Sequence, residues 1–312
     1  IAAQLIEGAT GNHVWAKRYD RELEDIFDLQ DELTETIVGA IEPELGKAER
    51  EHARAKRPES LCAWDLYQRA MWHTYRRTRD DLAEAQTLFA QARELDPDMA
   101  VAYAGAVDAC FFQIVDGHAE DQAQTKQEAI DLGRRAVDLD DRDALARYAL
   151  GRAYTVSRRH DEAIPELAAA LELNPSFARA HYALGFALAT SGRPEDAIRH
   201  IERAIRLSPH DPYIGQFLTH IAAAHLFMHD HGKAAKWARE ALRQPNIRWS
   251  RWALLVSALG HLGRFEEAAE AMDALHRLKP EVDVDFIEGY WPISHAPSLA
   301  HLVAGLRAAG VP

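Results

Sequence analysis

The chain has 312 residues, 47% of them hydrophobic and 27% charged, with a formal net charge of −13. That balance belongs to a folded chain rather than a disordered one, and no apolar run approaches the ~20 residues a bilayer-spanning helix needs. The acidic excess argues against a nucleic-acid surface, which requires concentrated basic charge facing phosphates.

No signal peptide is evident. The chain opens on Ile1 rather than methionine and reads as a piece of a longer protein. Cys62 and Cys110, the only cysteines, fall in expected amphipathic helices. Two cysteines make neither a disulfide framework nor a zinc knuckle, so both read as reduced, packed thiols in a cytoplasmic setting.

Ile1 to Ile6 and His13 to Tyr19 have strand-like patterning, with the turn residues of 7–12 between them. A two-stranded hairpin is marginal alone in water. It is therefore expected to complete a larger sheet or to pair with a second copy, giving a homodimer. From about Leu23 the period becomes helical through Ile26, Leu29, Leu33, Ile37, Ile41 and Leu45, with Pro43 as a kink or break. The basic cluster Arg54, Lys56 and Arg57 reads as a solvated linker.

After Pro58 the pattern settles into helical pairs. The first pair carries Trp64, Tyr67 and Ala70, then Ala85, Phe89 and Ala92. A second begins near Ala100, with a longer loop around Val115 to Thr125. Between Ala144 and Pro209 the sequence repeats itself: Leu150, Gly151, Ala163, Ala170 and Pro175 recur as Leu184, Gly185, Ala197, Ala204 and Pro209, each 34 residues later. Glycine inside a helix costs roughly 1 kcal/mol, so Gly151 and Gly185 predict a neighbouring helix too close for a Cβ. The turn Ser191-Gly192-Arg193-Pro194 followed by Glu195 and Asp196 is a helix start, since proline suits the first turn and carboxylates suit the positive end of the dipole. A degenerate pair spans 212–245, and a regular one follows with Trp252, Leu259, Gly263, Ala268 and Pro280. Ser298 to Ala309 is amphipathic and reads as a cap over the last pair.

The 34-residue units resemble tetratricopeptide repeats (TPR), whose period they share. The resemblance implies an all-α fold: a right-handed α-solenoid of TPR-like helical hairpins, preceded by a short β-hairpin and a linker helix. The expected organisation is hairpin and linker helix over 1–58, about six repeats over 59–280 and a capping region over 281–312. The stretches TGNHVWAKRYDREL and IFDLQDEL are similar to a region of bacterial multidomain regulators in which a TolB-like α/β segment leads into TPR repeats. There the N-terminal output domain is a class III adenylate cyclase or a winged-helix DNA-binding domain, and neither is expected within this chain.

By the same resemblance, positions 2, 5, 9, 12 and 13 of each first helix line a concave groove. Those positions give Trp64, Tyr67, Met71 and Tyr75, then Val101, Asp108, Phe111 and Phe112, then Leu145, Tyr148 and Arg152, then Arg179, Tyr182 and Phe186. Such a surface would hold an apolar or amphipathic peptide or helix by aromatic anchors, oriented by Arg152 or Arg179. The alternative is that the aromatics pack on one another. The function implied is a protein-interaction and regulatory module of a bacterial signalling protein, or a docking part of a cyclase; a third reading is a small-molecule or metal sensor that uses the histidines of 220–231.

Catalytic patterns are missing: there is no phosphate-binding glycine loop, HExxH, GxSxG or carboxylate pair in an acid/base setting. No enzyme activity and no cofactor are expected of this chain. His220, His225, His229 and His231 cluster beside Asp230, and His225 and His229 stand one turn apart. The stretch spans a helix end and a turn, so these rings need not converge; no metal site is expected, and His225, His229 and His231 are the residues to inspect. The acidic run from Asp138 to Asp143 lacks the glycine and glutamate of an EF-hand loop and reads as a solvated turn.

Overall fold

A computed structural model describes residues 2–6, 13–18, 50, 62–209, 211, 213–245 and 247–311. Strand β1 (Ala2–Ile6) pairs antiparallel with β2 (His13–Arg18), with Ala2 opposite Arg18 and a register shift between Leu5 and Ile6. The turn between them, the linker helix expected from about Leu23 and the basic cluster at 54–57 lie outside the described residues.

Among the described residues, twelve helices then follow in hairpins: α1 (Ala63–Arg76) with α2 (Arg79–Leu95), α3 (Ala100–Val115) with α4 (Gln122–Leu139), and α5 (Ala144–Val156) with α6 (His160–Leu173). Next come α7 (Ala178–Thr190) with α8 (Pro194–Leu207), α9 (Ile214–Phe227) with α10 (His231–Leu242), and α11 (Trp249–His261) with α12 (Phe265–Leu278). Two further helices, α13 (Val284–Tyr290) and α14 (Ala296–Ala308), close the chain. No described helix is long and apolar enough to cross a membrane.

The hairpins form because their apolar stripes are only half covered within a pair and need a neighbour to finish the job. Small residues carry the closest approaches. A Cβ on Gly185 would lie 2.5 Å from Ile201 Cγ1 and 3.0 Å from the Ala197 carbonyl oxygen, so the glycine lets α7 settle onto α8 as the sequence implied. Helix α8 starts at Pro194 with Glu195 and Asp196 in its first turn.

Backbone with positive φ recurs where the first helix of a hairpin gives way to the second, at Arg77, Gly117, Arg158, Gly192, His229 and Gly263. Three of these are not glycine, although a left-handed conformation costs roughly 1–2 kcal/mol for other residues. Each of the three uses its side chain. Arg77 donates to Asp116 from Nε at 2.8 Å and from Nη2 at 2.5 Å. Arg158 and His229 reach the C-terminal segment, as follows.

The chain divides into two compact units. One comprises Ile1–Ala153, Ala169–Ala178 and Arg206–Ser208; the other comprises Tyr154–Ala168, Arg179–Ile205 and Pro209–Pro312. Within the second unit, the C-terminal segment does more than cover the last hairpin. Arg158 Nη2 donates to the carbonyls of Glu288 at 2.7 Å and Trp291 at 2.8 Å, satisfying acceptors at the end of α13. The Ser294 and His295 N–H groups donate to the Thr190 carbonyl at 3.0 and 3.3 Å. Helix α14 then packs on α11: Ser257 Oγ donates to the Leu302 carbonyl at 2.8 Å, and Gly260 meets Gly305 so closely that a Cβ would run into the Gly305 carbonyl oxygen. The segment thus meets the turn after α5 and the end of α7 before α14 docks, and α14 then brings His301 against His229 and His231 of the turn after α9.

Candidate binding face and histidine cluster

In the first unit the expected groove residues divide by depth. Trp64 is 44% exposed and stacks on Tyr67, ring centres 5.2 Å apart. Tyr67 is buried against Phe89 at 6.0 Å. Tyr75 is half-buried, with the Arg50 guanidinium 4.8 Å above its ring. Met71 is buried.

Asp108, Phe112, Tyr148 and Arg152 come together, but inward. Asp108 and Arg152 are 3% and 5% exposed and form an ion pair. The guanidinium lies 3.5 Å from the centre of the Phe111 ring, 5.1 Å from that of Phe112 and 5.3 Å from that of Tyr148. Tyr148 in turn packs on Phe177 at 5.1 Å. Arg152 was expected to orient a ligand; its charge is instead neutralised by Asp108 within an aromatic box. A buried charge is tolerated only where it is paired, and the cation–π contacts add to the match.

In the second unit Arg179 and Tyr182 are half-buried and Phe186 is buried. Tyr182 stacks on Phe217 with centroids 4.4 Å apart, and Phe186 stacks on His220 at 4.3 Å. Burial alone pushes the His220 imidazole down to about 3, and its Nδ1 finds no hydrogen-bond partner among the described residues. His220 is therefore a neutral ring used as a flat apolar surface.

The histidine-rich stretch resolves differently from its linear order. His225 is buried on α9, and burial lowers its pKa. Helix α9 ends at Phe227, and the left-handed backbone at His229 turns the next ring to another neighbourhood. There His229 and His231 meet two residues that linear proximity could not suggest, His261 at the end of α11 and His301 on α14. His231 Nε2 lies 3.0 Å from His301 Nε2, and the rings of His229 and His301 are 3.8 Å apart. His261 stacks on His301 at 4.0 Å and on His231 at 4.5 Å, and its Nε2 lies 2.8 Å from the His301 carbonyl oxygen. A carbonyl only accepts, so His261 carries its proton on Nε2.

Burial and then the neighbouring imidazoles of His261, His229 and His231 hold His301 down to about 4, and burial with His261 and His229 lowers His231. Asp230 is not part of this cluster: it caps α10, accepting from the Lys233 N–H at 3.1 Å and pairing with Lys233 Nζ at 2.9 Å. Ligand atoms of His229, His231 and His301 all lie within 4.8 Å of one another.

The remaining sequence candidates have local roles. In the acidic run, Asp140 accepts from the Arg142 N–H at 3.0 Å and Asp143 from the Leu145 N–H at 2.9 Å, which are turn and helix-start bonds. Cys62 departs from expectation: it is exposed at the start of α1, with its Sγ and N–H each 3.2 Å from Asp65 Oδ2. Cys110 is packed as expected; Gln86 Nε2 sits 2.9 Å from its sulfur, and burial pushes its thiol up to about 12.

Residues 148–212 match the tetratricopeptide repeat family model. A solved structure from Pseudomonas aeruginosa, described as pilF, superposes with a TM-score of 0.50 at 19% identity, covering 75% of this chain and 95% of its own. Another, from Thermus thermophilus and described as a thermophilic TPR protein, superposes with a TM-score of 0.51 at 19% identity, covering 64% of this chain and 99% of its own. The fold is that of TPR proteins. A curated Rhizobium meliloti (strain 1021) protein named "Putative adenylate cyclase 3" is 34% identical over 163 residues, 52% of this chain. The chain spans 28% of that relative's length.

Proposed function

We propose that this chain is a TPR-type protein-interaction and regulatory arm, stacked as an α-solenoid, that works within a longer bacterial signalling protein of the adenylate cyclase class. The observation that carries the reading is the run of consecutive helical hairpins with the tetratricopeptide match in its midst. Arrays of this kind bury their stripes against neighbouring repeats and present first-helix faces to extended or helical partners. The 34% identity to the cyclase-named relative supports the parent assignment, in which this segment docks a partner while catalysis resides elsewhere.

The partner is a peptide or helix with apolar anchors. Among the aromatic and charged groove residues, those not fully buried are Trp64 and Tyr75 in the first unit, and Arg179 and Tyr182 in the second. The test is a pull-down from the parent organism with the wild-type chain and with Trp64→Ala, Tyr75→Ala and Arg179→Ala, each confirmed folded by its melting curve. Loss of a partner is expected in Trp64→Ala and Tyr75→Ala, or in Arg179→Ala; retention of every partner by all three removes the reading.

Self-association is the second reading. It is favoured by the strands Ala2–Ile6 and His13–Arg18, which pair with no third strand among the described residues, leaving outer edges that invite pairing. Light scattering of the chain with and without residues 1–22 decides it, since two monomeric samples would rule it out.

A further inference from the structure

We propose that His229, His231 and His301 form a zinc-binding site that fastens the C-terminal helix α14 to the turn between α9 and α10. Three imidazoles from two separate parts of the chain offer nitrogens within 4.8 Å of one another. Zinc binds imidazole nitrogen at 2.0–2.1 Å in tetrahedral geometry, which sets ligand nitrogens about 3.3 Å apart. The His231 and His301 Nε2 atoms are already 3.0 Å apart. Two imidazole nitrogens at that distance either share one proton or aim their lone pairs at a common cation.

The surroundings fit a metal rather than a proton relay. The rings are crowded into one patch in which every charged histidine would repel the others, while neutral imidazoles are what zinc requires. His261 is not counted as a ligand through Nε2, because that atom faces the His301 carbonyl oxygen at 2.8 Å. Its ring lies within about 11° of parallel to both His301 and His231 and walls the cluster on one side. His229 is exposed, so the fourth coordination position opens to water. Imidazole-only ligation suits zinc, with copper and nickel as competitors; magnesium and calcium prefer oxygen.

His229 also explains itself on this reading. It holds a left-handed backbone at φ 60°, in the kind of turn position that Gly192 and Gly263 fill in other hairpins. A histidine there accepts strain that glycine would avoid, and its ring points to the cluster.

The experiment uses the full chain without a histidine tag, stripped by chelator and titrated with ZnCl2 by calorimetry, with thermal midpoints measured in parallel. One zinc per chain and a raised midpoint are expected, because a ligand that binds only the folded state stabilises it. His229→Asn tolerates the left-handed turn but cannot ligate, and His231→Ala removes a second ligand. Each should weaken binding by more than about 100-fold, beyond the 10–100-fold typical of outer-shell losses. His225→Ala should bind as the wild type does. His301→Ala is informative only alongside these, since it also touches the docking of α14. Absence of stoichiometric binding, or binding unaffected by His229→Asn and His231→Ala, or binding lost in His225→Ala, overturns the proposal.

Discussion

Arg152, Phe186 and His220 follow one another at the 34-residue period, and Asp108 holds in α3 the ninth position that Arg152 holds in α5 and Phe186 in α7. In the first unit two neighbouring copies of this position, Asp108 and Arg152, meet as a buried ion pair walled by Phe111, Phe112 and Tyr148. In the second unit Phe186 and His220 meet as stacked rings. The repeat dictates where the side chain points, and only the immediate neighbour has to agree with its chemistry. One unit solves the contact with two full charges that must stay together. The other solves it with a titratable group that must stay neutral.

The largest effect is expected from breaking the charged solution. Arg152→Ala leaves the Asp108 carboxylate buried without its partner, and removing one member of a buried pair costs about 3–5 kcal/mol. Replacing both, as Asp108→Leu with Arg152→Met, removes the uncompensated charge and should recover most of that loss. Urea unfolding of the three proteins measures the difference. Equal losses in the single and double variants would show that the aromatic box, rather than the ion pair, sets the stability of this contact.

The neutral solution is exposed by pH. His220 sits at about 3 when folded, below the 6.5 of an unexceptional histidine, so the unfolded chain binds the extra proton. Its contribution is complete above pH 6.5 and is lost as the pH falls towards 3. By pH 5 the loss amounts to about 2 kcal/mol. His160, His200, His225, His231 and His301 are lowered too and act in the same direction. The decisive comparison is therefore between the wild type and His220→Leu, whose stability should fall less steeply between pH 7 and pH 5. Parallel curves would mean that the ring is not titrating on unfolding.

Periodicity made the hairpins legible: the turn at Ser191 to Pro194, the small residue at Gly185 and the first-helix positions all stand where the 34-residue spacing puts them. Depth was not legible from that spacing. A first-helix position is open or closed according to what a neighbouring hairpin brings, and Arg152 is closed because Asp108, 44 residues earlier, waits opposite it. The histidines show the same limit in another form. Helical spacing joined His225 to His229, but α9 stops between them, and the true neighbours of His229 and His231 include His301, 70 residues after His231 in a tail that has left the repeat. Linear order singled out His229 and His231 among the 16 histidines, but nothing in the spacing pointed to His261 or His301.

The smallest effect should come from Trp64, and it sharpens the contrast between the position-nine contacts and the open face. Its ring is 44% exposed and rests on Tyr67 without closing any buried polar group. Aromatic stacking of this kind is worth about 0.5–1.5 kcal/mol beyond burial, and half of the burial is already forgone. Trp64→Ala should therefore lower stability by about 1–2 kcal/mol, under Arg152→Ala, when both are unfolded in urea. If Trp64→Ala proved as destabilising as Arg152→Ala, Trp64 would belong with the packed interior, and Tyr75 would be the aromatic groove residue left to a partner in the first unit.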